Sequence, residues 1–194
     1  MIITPPSPES AEGGAAQMYA DDLAEDGLVF SHTRAMAVNP EAYAAFEDLV
    51  HAVVPSIGIR GYEAATLGAA RALGSTHCLL AHGRRSLRAG VVDEEGLESF
   101  AHGDDSGFRP EERAVIRYAE KLSTDPSSMT DADTQALRDV GYSDRQIVDL
   151  TLAAAARNYF SRALLALAVP TDAMPGLRAD LAEALSRPAT TPEA

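Results

Sequence analysis

The chain has one cysteine, Cys78, one lysine, Lys121, and no tryptophan among its 194 residues. A single thiol excludes an intramolecular disulfide, so the fold rests on burial, and it fits a reducing compartment. The scarcity of lysine accompanies a formal net charge of −13, from 29 acidic against 16 basic residues. That field opposes phosphate backbones and anionic lipid surfaces, so nucleic acid and membrane are not expected partners. Long apolar runs are also missing: the stretch from Thr151 is cut by Arg157 and Arg162, well short of the ~20 residues that span a bilayer. The opening Met1 to Pro6 has neither a basic nor an apolar signal region, and the cytoplasm is the expected location.

What is present is helical periodicity. Leu, Ala, Arg and Glu recur at three- and four-residue spacing with no sustained alternation of apolar and polar residues, which predicts an all-α fold. A chain this long makes one domain that buries roughly 70% of its unfolded surface. Helix starts are marked by Asn39-Pro40-Glu41, Asp93, Pro110-Glu111-Glu112, Thr130 and the capping box Ser143 to Gln146. The first of these helices is expected to run to about Val53, the last to about Val169 before Pro170, and a final amphipathic helix from about Met174 to Ser186. Residues 1–13 and 187–194 are rich in Pro, Ser, Thr, Gly and Glu and read as an N-terminal arm and a flexible C-terminal tail around a helical domain at 14–186.

The chemistry concentrates around Cys78. A helix from about Gly61 should stop at Gly74, leaving Ser75 as N-cap of the next and Cys78 at its third position, where free N–H groups and the helix dipole favour an anion. His82 lies one turn further on the same face, within reach of the sulfur directly or through a water, and Glu63 must fold back from the preceding helix to meet them. Nucleophile, base and orienting carboxylate is one reading of Cys78, His82 and Glu63. The plainer alternatives are a buried cysteine, a core histidine, a glutamate paired to an arginine and a capping serine. A metal site built from His77, Cys78, His82 and Glu63 is disfavoured, because adjacent helical residues project about 100° apart, and neither metal nor cofactor is expected. His32, His51 and His102 show no partner pattern and are assigned to structure.

The order Glu63, Ser75, Cys78, His82 resembles the Glu-x11-Cys-x2-Cys-x3-His signature of the carboxymuconolactone decarboxylase/alkylhydroperoxidase D superfamily, with Ser75 in place of the first cysteine. The similarity extends over about residues 14–170, through Val29 to Glu41, Gly90 to Glu95, Phe108 to Ala114, Gly141 to Val148 and Asn158 to Arg162. The resemblance implies an alkylhydroperoxidase D-like helical bundle that assembles as a homo-oligomer. It also implies an antioxidant peroxidase or thiol-dependent oxidoreductase with Cys78 as nucleophile and His82 and Glu63 as proton relay. Ser75 cannot form the resolving disulfide, so an external thiol must reduce the oxidised cysteine formed by peroxide or another small-molecule substrate. The alternatives are a carboxymuconolactone decarboxylase-like enzyme working through Glu63 and His82, and a non-catalytic oligomeric protein.

Overall fold

The computed structural model describes residues 1–187, which form nine α-helices, two single-turn 3-10 segments and no strand. In chain order the helices are α1 (Gly13–Asp26), α2 (Ser31–Met36), α3 (Pro40–Ala72), α4 (Thr76–Arg88), α5 (Glu94–Ala101), α6 (Pro110–Thr124), α7 (Asp131–Asp139), α8 (Asp144–Ala166) and α9 (Ala179–Ser186). The starts of α3, α5 and α8 carry the side-chain caps read from sequence, with Asn39, Asp93 and Ser143 accepting from Ala42, Gly96 and Gln146. Of the tail expected at 187–194, all but Arg187 lies outside the described residues.

Helix α3 is the axis of the molecule, packed along α6 on one side and α8 on another, with α4 folded back against it. Its second half is buried over consecutive residues, Gly61 to Ala70, because neighbours enclose it on all sides. Small residues let the backbones close up: Ala69, Ala119 and Ala154 meet where α3, α6 and α8 converge, and a Cβ added to Gly68 would stand 2.6 Å from the Ile116 carbonyl oxygen. Around this seam Leu67, Val115, Ile116 and Leu150 fill the core with no exposure.

Three boundaries differ from expectation. The helix predicted to end near Val53 continues through Pro55 to Ile57, and Gly58 (φ 67°, ψ 170°) breaks it from the next in a conformation that only glycine adopts readily. The carbonyl of Ser56, just before this break, accepts from Gln146 Nε2 of α8 at 2.9 Å. The final helix starts at Ala179 and not at Met174, since Pro175 and the left-handed Gly176 (φ 77°) keep the chain irregular. Helix α8 stops at Ala166, short of Val169, and Ala168 turns left-handed beyond it. Among residues 1–12, the Ile2 N–H donates to the Leu167 carbonyl at 3.0 Å and the Pro6 carbonyl accepts from Tyr19 at 2.8 Å.

Candidate active site

Gly74 (φ 62°) ends α3 with the left-handed turn its position requires, and α4 then begins at Thr76. Ser75 occupies the N-cap position, yet its side chain makes no capping bond. Cys78 is the third residue of α4 and only 1% exposed. Its sulfur meets α8: Ser161 Oγ donates to Sγ at 3.2 Å, and Arg157 Nη1 lies 3.7 Å away. Arg157 also donates through Nη2 to the Tyr62 hydroxyl at 3.2 Å.

One turn along α4, His82 Nδ1 lies 2.8 Å from Glu63 Oε2. Glu63 sits without exposure in the second half of α3, and Arg85 Nε stands 3.1 Å from its other oxygen as an ion pair without a hydrogen bond. The hairpin between α3 and α4 therefore brings Glu63 to His82, while no hydrogen bond joins His82 to Cys78. Burial first, then the charge of Arg157, pushes the His82 imidazole down to about 4, against the opposing pull of Glu63. A neutral ring donates Nδ1–H to the carboxylate and keeps the Nε2 lone pair for a proton in transit.

A second imidazole pair stands nearby. His77 Nε2 and His32 Nδ1 are 2.9 Å apart, so one ring donates and the other accepts. Burial, followed by the neighbouring His77 and Arg157, pushes His32 down to about 3; burial likewise lowers His77, which Asp172 partly offsets. His32, assigned to structure from sequence, thus belongs to the site. Among the described residues no group of three or more His, Cys, Asp or Glu side chains is arranged to hold a metal ion.

Cys78, His82, Arg157, Tyr62, His77 and His32 form the floor of an open cleft of about 660 Å³, with Glu63 and Ser161 buried behind it. Tyr43, Phe46, Val50 and Val54, spaced at three and four residues along the first half of α3, make one wall; Phe160 closes it from α8, its ring 4.9 Å from that of Phe46. The opposite rim, from α1, is acidic, and Asp26 and Glu25 there pair with Arg84 and Arg88 of α4. Sequence reasoning missed Arg157, read only as an interruption of an apolar run. The available signal was that interruption itself: an arginine inside an Ala-rich helix is seldom buried without a partner.

The model of the carboxymuconolactone decarboxylase family matches residues 40–121, a segment that includes Glu63, Ser75, Cys78 and His82. No curated protein matches the chain by sequence. Among solved structures, the chain is similar to a peroxidase-related protein with an alkylhydroperoxidase AhpD core from Ralstonia eutropha JMP134, at TM-score 0.73 and 18% identity over 96% of this chain and 97% of that one. A peroxidase-related protein from Silicibacter sp. TM1040 aligns at TM-score 0.72 and 19% identity, over 89% and 90% of the two chains. A cysteine-to-alanine variant of the debrominase Bmp8 in complex with 2,3,4-tribromopyrrole aligns at TM-score 0.72 and 18% identity, over 95% of each. At these identities the likeness is one of fold.

Proposed function

We propose, from the match of residues 40–121 to the carboxymuconolactone decarboxylase family and the likeness of fold to peroxidase-related proteins, that the chain is a single-cysteine thiol-dependent peroxidase acting on a small hydroperoxide that enters the aromatic-walled cleft. The observation that carries this reading is the placement of the Cys78 sulfur on the cleft floor, with Ser161 and Arg157 directed at it and the Glu63–His82 pair one helical turn away. Cys78 attacks the peroxide's terminal oxygen, the O–O bond breaks, and a proton delivered through His82 neutralises the departing alkoxide. The product is a sulfenic acid and an alcohol. With Ser75 where a partner thiol would stand, an external thiol condenses with the sulfenic acid, and a second releases the disulfide. We place this cycle in the reducing cytoplasm, in a homo-oligomer.

The test is hydroperoxide consumption in the presence of a monothiol by the wild type and by Cys78→Ser, with mass spectrometry of Cys78 after a brief peroxide pulse. Thiol-dependent turnover lost in the variant, and a Cys78 peptide heavier by one oxygen, are expected. Equal rates in the two proteins would overturn the reading. A second reading, acid–base work on a small cyclic substrate by Glu63 and His82 alone, is favoured by their hydrogen bond, which does not involve the sulfur. Under it a substrate would be turned over equally well after Cys78→Ser.

A further inference from the structure

Arg157 is the exception among the arginines of the cleft. Arg84, Arg85 and Arg88 each have a carboxylate partner, in Asp26, Glu63 and Glu25 with Asp26. Arg157 is 5% exposed and has no carboxylate partner among the described residues; it hydrogen-bonds the Cys78 sulfur and the Tyr62 hydroxyl and lies over the Phe160 and Phe46 rings at 5.4 and 5.9 Å, while its Nε has no partner. An unpaired buried cation carries a large desolvation penalty, which an anion must offset. The two imidazoles nearest the sulfur along α4, His77 and His82, are no source of negative charge.

We propose that Arg157 makes the cleft floor an anion site with alternating occupants: the Cys78 thiolate in the reduced protein, and the thiolate of the external reductant once Cys78 is oxidised. The second half rests on the peroxidase reading. Attack of the Cys78 thiolate on the hydroperoxide, with uptake of one proton, gives Cys78 sulfenic acid and an alcohol, so the sulfur loses its charge and Arg157 loses its counter-ion. The floor is then electrostatically prepared for an incoming thiolate. That thiolate attacks the sulfenic sulfur; the S–O bond breaks, a proton is taken up, and water leaves as the mixed disulfide forms. A second thiolate attacks the outer sulfur, and the Cys78 thiolate returns to its place beside Arg157. The charge of Arg157 thereby orders the cycle, neutral peroxide first and anionic thiol second. In a chain with no second cysteine, this supplies the reductant with a docking charge that a resolving thiol would make unnecessary.

Two measurements test the inference without requiring peroxidase turnover. The first is thiocyanate binding, by calorimetry at neutral pH, to the wild type and to Cys78→Ser, whose hydroxyl reproduces an uncharged residue at the sulfur position. Cys78→Ser should bind thiocyanate at least roughly tenfold more tightly than the wild type, because only there is the buried cation unpaired, and Cys78→Ser combined with Arg157→Met should lose the binding. The second is the ultraviolet absorbance of the Cys78 thiolate at neutral pH, expected in the wild type, retained in part by Arg157→Lys and lost in Arg157→Met. Equal thiocyanate affinities for the wild type and Cys78→Ser would overturn the inference, as would an unchanged thiolate band in folded Arg157→Met. If Arg157→Met does not fold, Arg157→Lys and the thiocyanate comparison decide. Absence of hydroperoxide consumption by the wild type would instead count against the peroxidase reading, and these two readouts would still judge Arg157.

Discussion

His82, His32 and His77 all occupy positions where burial disfavours the imidazolium, and their combined effect on stability has a definite sign. In the unfolded chain these rings take up protons around the ordinary value of 6.5, whereas in the folded protein His82 does so only near 4 and His32 only near 3. The unfolded state therefore binds more protons in that window, and stability is lost as pH falls from 6.5 toward 4 and below. Thermal unfolding across this range should show a midpoint falling steadily with acid, and the fall should be shallower in His82→Ala. The same variant should slow the reaction of Cys78 with peroxide roughly 10²-fold, the low end of general acid–base catalysis, with unchanged helix content by circular dichroism. Ser75→Cys should be tolerated, because Ser75 makes no capping bond and the cost of about 1 kcal/mol attached to a lost N-cap does not arise. Oxidised, that variant should form a disulfide to Cys78, read as a loss of two hydrogens in mass and of both titratable thiols. At this scale the spacing made Glu63, Cys78 and His82 legible, since one helix turn and one hairpin relate them. Arg157 and Ser161 were not legible, because which face of α8 meets the sulfur is settled by packing between helices distant in sequence.

Helix starts were readable where the sequence carries a capping residue, a glycine stop or a first-turn proline, as at Gly74-Ser75 before α4 and Pro110 in α6, whether or not the side chain makes a capping bond. Asn39, Asp93 and Ser143 all announce their helices, whereas α1 and α2 begin behind Glu12 and Phe30, neither of which makes a capping bond. Those two helices are held by tertiary contacts: Asp22 accepts from the Phe30 N–H, and Asp172 accepts from both the N–H and the hydroxyl of Ser31. Helices α3 and α6 approach closely at Gly68, where an added Cβ would meet backbone atoms of Ile116 at 2.6, 3.0 and 3.2 Å. Backbone cannot swing aside as a side chain can. Gly68→Ala should therefore destabilise the protein by about 1–3 kcal/mol, despite alanine's better helix propensity, as measured by urea unfolding.

For the whole molecule, the all-α fold followed directly from periodicity, while assembly depends on surface that periodicity only hints at. Val148, Leu152 and Tyr159 lie along one stripe of α8 and are 56%, 40% and 57% exposed, an apolar strip that a second subunit would cover. Light scattering should give a mass that is a multiple of 20.5 kDa, and Leu152→Asp should shift it toward the single chain. The break at Gly58 has a consequence of another kind. It divides α3 into an outer rod carrying Tyr43, Phe46, Val50 and Val54 along the cleft and an inner rod carrying Tyr62 and Glu63. Because a glycine joint separates the two, substitutions on the outer rod alter what the cleft admits while the register of the inner one, and with it the hydrogen bond from Glu63 to His82, is preserved. Under the proposed function, the wall that selects the substrate and the pair that handles the proton can therefore be altered one at a time, as two parts that share a helix but not a register.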